Sequence, residues 1–151
     1  MKFRTATESD IPVIMQIRLA VKENMLSNPA VITVQMCVDY LEKLGRGWVC
    51  EIDGRIVGFS YAAKEDSSIW ALFVLPEFEG RGAGKALLDL ATAYLFSLGN
   101  EKVKLGTQAN TRADAFYLAQ GWQRGAMLND VEVAYILNRK PIAQMPKRAC
   151  R

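Results

Sequence analysis

Apolar and polar positions alternate along this chain in short blocks, which predicts many brief elements rather than one long helix or a repeat. Residues 2–6 alternate polar with apolar and read as a first strand. Thr7 and Asp10 have the spacing of a capping pair, and Pro12 is tolerated in a first helical turn. Ile11, Ile14, Met15, Arg18, Leu19 and Lys22 then recur at helical spacing, so a helix is expected to about Met25, broken by Ser27-Asn28-Pro29. Thr33 is placed to cap a second helix through Val34, Val38, Leu41 and Leu44, ending at Gly45. Residues 48–52 and 56–63 read as strands joined by the tight-turn pair Asp53-Gly54. After the polar turn 65–68, residues 69–75 form a continuous apolar run, the pattern of a strand buried on both faces, and Pro76 ends it.

A glycine-rich loop then opens a long helix, with Leu87, Leu88, Leu90, Ala91, Tyr94, Leu95 and Leu98 on or near its inward side and Gly99-Asn100 closing it. Residues 102–107 read as a fifth strand and 111–120 as a short helix stopped by Gly121. Residues 122–127 and 131–137 form a last hairpin around Asn129-Asp130. The order β-α-α-β-β-β-α-β-α-β-β predicts an α/β (α+β) chain with a mixed, largely antiparallel sheet. Residues 1–140 read as one domain. Residues 141–151 show no helical or strand period and are expected to be a flexible basic tail.

Composition narrows the choice. At 151 residues the chain is one ordinary domain, long enough to bury roughly two-thirds of its unfolded surface. With 50% hydrophobic and 23% charged residues, disorder, collagen-like repetition and a coiled-coil rod are excluded as whole-chain readings. A net charge of +3 is not the basic footprint of a nucleic-acid binder, and nucleic acid is not expected as a partner. The chain contains no histidine, which removes histidine triads and most catalytic zinc sites, and no metal is expected. Cys37, Cys50 and Cys150 form neither a disulfide framework nor a Cys-x-x-Cys pair, which fits a reduced, cytoplasmic compartment. No apolar run approaches the ~18 residues of a membrane span, and no membrane partner is expected.

The segment with most chemistry in it is Pro76-Glu77-Phe78-Glu79-Gly80-Arg81-Gly82-Ala83-Gly84-Lys85. Three glycines in five positions before a helix let backbone N–H groups converge without side chains in the way. The helix N-terminus and the charges of Arg81 and Lys85 complete a phosphate cradle; the plain alternative is a strand-to-helix turn that needs glycine for its geometry. A Walker-type loop fails on spacing, because Gly80 and Gly84 enclose three residues and Ala86 follows Lys85. The dinucleotide fingerprint fails too, because Leu87 stands where its third glycine belongs.

Strand, loop and helix in this order resemble the GNAT superfamily of N-acetyltransferases. That family's pyrophosphate loop reads Gln or Arg, two residues, Gly, one residue, Gly or Ala, behind a strand ending in a Val-x-Pro-like sequence. Val74-Leu75-Pro76 precedes the loop here, and Gly82 and Gly84 match, while Glu79 stands where Gln or Arg is usual. A carboxylate beside a pyrophosphate is unfavourable, so Glu79 is expected to point away. The resemblance covers residues 2–138 and implies a sheet splayed between strands 4 and 5, with helices on both faces. It implies acetyl-coenzyme A as acetyl donor, its pantetheine arm on the backbone of Leu72, Phe73 and Val74, and its pyrophosphate on Gly80, Arg81, Gly82, Ala83, Gly84 and Lys85.

Asn110 and Tyr117 are seven residues apart, about two helical turns, and so lie on nearly one face with Ala113 between them. They resemble the family's Asn-x-x-Ala-x-x-x-Tyr segment, which implies that Asn110 contacts the cofactor and that Tyr117 protonates the departing thiolate. Asn110 also reads as a helix N-cap, and Tyr117 as a half-buried core tyrosine. Leu105 occupies the position where some family members carry a glutamate base. Glu23, Glu51, Asp66 and Glu132 are free carboxylates, none of which is singled out as a base. The activity implied is acetyl transfer to a primary amine of a small molecule or protein, the acceptor unread. The alternative is an acyl-coenzyme A binding module of the same fold without efficient turnover. The family also forms homodimers, and one is an expectation here. Residues 23–29 and 127–130 are the expected walls of the acceptor pocket.

Overall fold

The computed structural model describes residues 1–21 and 33–139, and its seven strands are β1 (Lys2–Thr5), β2 (Gly45–Ile52), β3 (Arg55–Ala63), β4 (Ser68–Val74), β5 (Lys102–Gln108), β6 (Gln123–Met127) and β7 (Glu132–Asn138). They form one sheet in the order β1-β2-β3-β4-β5-β7-β6. Four helices accompany it: α1 (Ile11–Ala20), α2 (Val34–Glu42), α3 (Ala83–Ser97) and α4 (Arg112–Ala119). All neighbouring strands are antiparallel except β4 and β5. The mixed α/β architecture expected from the pattern is therefore present.

Local chemistry explains most boundaries. Asp53 (φ 53°) and Gly54 (φ 78°) both adopt left-handed backbone, the requirement of a tight turn that matches strand twist. Asp10 Oδ2 accepts from the Thr7 N–H at 2.8 Å, closing the capping pair ahead of α1. The Thr33 hydroxyl accepts from the Met36 N–H at 3.1 Å and starts α2. Three boundaries and one facing differ from the sequence pattern. Helix α2 ends at Glu42, and Gly45 already opens β2. A Cβ on Gly45 would lie 1.7 Å from the Ala62 carbonyl oxygen, so this glycine serves strand pairing, not a helix stop. Leu98 is exposed rather than inward. Helix α1 ends at Ala20; the expected stretch to Met25 and the tail 141–151 lie outside the described residues.

Neighbouring residues of β3 show where the helices lie. The Ser60 hydroxyl donates to the Leu87 carbonyl of α3 at 3.0 Å, whereas the Tyr61 hydroxyl donates to the Cys37 carbonyl of α2 at 3.4 Å. Successive side chains of a strand point to opposite faces, so α2 and α3 cover opposite faces of the sheet. The α1/α2 face buries Ile14, Cys37, Phe59 and Tyr61; the α3 face buries Leu87, Leu88, Ala91 and Leu95. Cys37 and Cys50 are buried free thiols.

Between β4 and β5 the sheet opens. Their ladder consists of the single pair Ser68↔Lys104, held by the Lys104 N–H on the Ser67 carbonyl at 3.0 Å and the Ser67 hydroxyl on the Lys102 carbonyl at 2.6 Å. Beyond that pin the strands diverge. This is the expected splay.

Candidate active site

The divergence leaves an edge of β4 without a partner strand. Leu75 N–H donates to the Val57 carbonyl at 2.9 Å, which fixes the alternation of the antiparallel ladder. The pairs Phe59↔Phe73 and Tyr61↔Ala71 turn their backbone groups toward each other, and Leu72 and Val74 turn theirs toward β5. Of the three β4 residues expected to offer backbone groups to a ligand, Leu72 and Val74 face the cleft. Phe73 is committed to β3 and contributes a buried ring stacked on Phe59 at 5.2 Å. Tyr61 pairs with Ala71 and Ala62 with Ile69, so Trp70 is the extra residue of a β-bulge. The Trp70 ring stacks on Tyr40 of α2 at 4.2 Å. No sequence signal marked this bulge.

The glycine loop sits beyond the end of β4. Gly80 (φ 79°) and Gly82 (φ 90°) are both left-handed, and a Cβ on either would meet nothing within 4 Å. Their glycines are thus required by backbone conformation, and the space they leave is open. Ala83 begins α3, so its N–H and those of Gly84 and Lys85 are among the unpaired donors of the helix N-terminus. Arg81 lies over the Phe78 ring at 5.2 Å, and Arg55, from the start of β3, lies over the same ring at 5.4 Å. Arg55 brings a second guanidinium that the sequence pattern did not associate with the loop. Lys85 is held by Asp89 at 2.9 Å, an exposed pair that leaves it near the loop. The Glu79 carboxylate pairs with Arg112 at the start of α4. A phosphate group fits these residues, since the donors, the open space and the cations coincide.

Helix α4 is fixed by one buried carboxylate. Asp114 accepts from the Asn110 N–H at 2.8 Å, from Arg124 Nε and Nη2 at 3.1 Å each, and from the Tyr135 hydroxyl. Arg124 first, then the Tyr135 hydroxyl and the Asn110 N–H, hold the Asp114 carboxyl well below the usual carboxylate range against the opposing effect of burial. Burial, followed by the Asp114 carboxylate, pushes Tyr135 up to about 12. Asn110 is exposed, with φ 62°, and the N-cap of α4 is Thr111, whose hydroxyl accepts from the Asp114 N–H at 3.4 Å. The N-cap reading of Asn110 is therefore corrected by one residue.

The Asp114 network predicts an acid-sensitive fold. A carboxyl depressed in the folded state contributes stability that is present above the unfolded value near 4 and lost as pH falls through the folded one. Asp114→Asn should flatten the fall in stability below pH 4. Asp114→Ala removes the carboxylate that Arg124 pairs with, while the Tyr135 hydroxyl keeps the residue-114 carbonyl at 2.8 Å, so it should cost about 2 kcal/mol, or roughly 6 °C in melting temperature. Calorimetric melts between pH 2 and 7 check both.

Tyr117, on the inward side of α4, is 6% exposed and packs against Phe116, Trp122 and Tyr135 with ring centroids 5.2, 5.9 and 5.6 Å away. Its hydroxyl has no hydrogen-bond partner among the described residues, and burial raises its pKa. It lines a cavity of about 140 Å³ between β4 and β5, together with Arg18, Leu72, Phe73, Thr107 and Glu132. Of the four carboxylates considered as bases, Glu132 shares this cavity, Glu51 is paired with Arg4 at 2.8 Å, Asp66 accepts from Ser68, and Glu23 lies outside the described residues. Arg18 was legible only as a member of a helical face. The signal missed was its charge, four residues after Ile14 and seven after Ile11 on the side that α1 buries.

Leu128 also approaches the cleft, its Cδ1 2.9 Å from where a Cβ on Gly106 of β5 would stand. Among the described residues, no three His, Cys, Asp or Glu side chains gather in a metal-binding group, and no helix is long and apolar enough to cross a membrane.

The acetyltransferase (GNAT) family model matches residues 15–122, from within α1 through the open β4 edge and the glycine loop to the Tyr117 helix. The chain belongs to the GNAT family. An N-acetyltransferase of Archaeoglobus fulgidus is 36% identical over 86 residues, 50% of this chain and 58% of that protein. This GNAT chain thus spans less than two thirds of that relative's length. The PaiA N-acetyltransferase of Thermoplasma acidophilum, solved with coenzyme A, superposes with a TM-score of 0.78 at 14% identity, covering 91% of this chain and 98% of that one. A Salmonella typhimurium protein solved with its cofactor acetyl-CoA gives 0.76 at 16% identity, covering 97% and 98%. These two likenesses concern the fold.

Proposed function

We propose that the protein transfers an acetyl group from acetyl-coenzyme A to a primary amine by direct attack. One observation carries this reading: the unpaired β4 edge runs from a cavity lined by Tyr117 to a glycine loop with two left-handed, unobstructed glycines. An amide-bearing arm can pair with Leu72 and Val74 as an added strand would. The N–H groups at the start of α3, with Arg81, Lys85 and Arg55 nearby, suit a pyrophosphate. Asn110, exposed and two residues before Arg112, is assigned as a further polar contact for the cofactor. The thioester supplies an electrophilic carbonyl and a thiolate leaving group.

The chain's own residues then orient and protonate. Tyr117 keeps its proton across the physiological range, because burial disfavours the phenolate. A simple phenol near pKa 10 donates slightly uphill to a thiolate near 8.5, and a dry cleft that leaves the thiolate poorly solvated reduces the difference. The amine must arrive neutral, so its ammonium proton leaves first.

Binding is tested by heat. Coenzyme A at 100 times its dissociation constant should add about 2.7 kcal/mol of stability, a rise of roughly 8 °C in melting temperature. Absence of any shift at millimolar coenzyme A would overturn the cofactor assignment. Acetylation of an amine panel then separates an enzyme from a module that only binds.

A further inference from the structure

The charges that line the cleft remain without a role in this scheme. Arg18 reaches the cavity from α1, half-buried, with its guanidinium 5.7 Å from the centre of the Phe73 ring. Arg4, Arg112, Arg124 and Arg139 each have a carboxylate partner, and Arg46, Arg55 and Arg81 are exposed. Among the described residues, Arg18 alone of the arginines is withdrawn from water and has neither an ion pair nor a hydrogen bond. Its ionisable neighbour is Cys37, whose thiol burial holds in the neutral form, so it offers no counter-charge. A desolvated cation without a partner is costly unless an anion reaches it.

Glu132 enters the same cavity from the start of β7. Its Oε1 accepts from the Asn129 side chain at 3.0 Å, and no cation pairs with it among the described residues. The cleft thus carries one positive and one negative side chain that do not neutralise each other. That arrangement complements a ligand carrying both signs.

We infer that the acceptor is a zwitterion of the amino-acid type, its carboxylate seated on Arg18 and its amino group toward Glu132. The inference rests on the acetyl-transfer reading and names the substrate class of that site. Arginine's planar fork matches a carboxylate with two parallel N–H bonds. The ammonium gives one proton to the Glu132 carboxylate. The freed nitrogen lone pair forms the N–C bond, the C–S bond breaks with its electron pair on sulfur, the sulfur takes the Tyr117 proton, and the second amine proton passes through water to restore Tyr117. One proton is released per turnover, from Glu132.

The test compares free α-amino acids with their α-carboxamides, pair by pair. Binding to the coenzyme A-saturated protein is read by calorimetry, and acetylation by release of coenzyme A. The acid should exceed the amide by at least roughly tenfold in both readouts, as expected of a charge-assisted pair. Arg18→Gln should bring the acid-to-amide ratio to near one, and Arg18→Lys should restore part of it. Arg18→Met, which keeps an unbranched apolar stem, replaces Arg18→Gln if that variant does not fold. Glu132→Gln should weaken acid and amide alike and leave their ratio in place. A wild-type ratio of one in both readouts overturns the inference. So does an equal loss on acid and amide in Arg18→Gln, which would assign the guanidinium to the reacting carbonyl oxygen instead. Failure of the acetyl-transfer reading itself would show separately, as no binding of coenzyme A or as binding with no acetylation of any amine.

Discussion

Tyr117→Phe should lower kcat by roughly 100-fold while leaving coenzyme A affinity within about twofold. The substitution keeps the ring and its contacts with Phe116, Trp122 and Tyr135, and it removes a hydroxyl that has no hydrogen-bond partner among the described residues. No buried partner is stranded by the change, so folding stability should hold. The affinity should hold as well, because the groups proposed for the cofactor are backbone groups of β4 and the glycine loop with Arg55, Arg81, Lys85 and Asn110, none of which the substitution touches. Burial already keeps the Tyr117 phenol protonated, so the wild-type profile should show no falling limb from this residue below pH 10. Single-turnover kinetics with an accepted amine check the rate, and an unchanged chemical step would return Tyr117 to a packing role.

Gly82→Asp should weaken coenzyme A binding by roughly 100-fold, equivalent to about 2.7 kcal/mol. The position has φ 90° and open space around a Cβ, so the new side chain meets no atom but stands where an anion would sit. Aspartate tolerates left-handed backbone better than most residues, and the folding cost should be limited to about 1–2 kcal/mol. Gly99→Asp provides the control. Gly99 has φ 97°, equally open surroundings and a place at the far end of α3, so its backbone cost is matched without a charge in the loop. If titration calorimetry finds both variants binding as the wild type does, the phosphates sit elsewhere.

The parts of this site visible in the sequence are those whose residue type is fixed by backbone geometry. Gly80 and Gly82 are needed for positive φ, and Asp53-Gly54 for a tight turn, so each marks its place in any context. Tyr117 was legible from helical spacing and from the family resemblance together. What was hidden depends on register between distant strands. Trp70 becomes a bulge only because β3 pairs with it out of step, and the division of labour between Leu72, Val74 and Phe73 follows from which ladder bonds form. Arg18, Arg55 and Glu132 come from three separate elements, and nothing in their own neighbourhoods announces a shared cleft or loop. The N-cap of α4 falls one residue after Asn110, on Thr111, which is equally suited to capping and follows it directly.

The single backbone pair between Ser68 and Lys104 makes the sheet two plates on one pin. One plate is β1-β2-β3-β4 and the other β5-β7-β6. Away from the pin, the gap between them is set by side chains such as Phe116 against the start of α3, not by a ladder of amides. A ligand that pairs with Leu72 and Val74 becomes the missing strand of the structure as well as its cargo. Amide hydrogen exchange along β4 and β5 should then slow when the gap is filled.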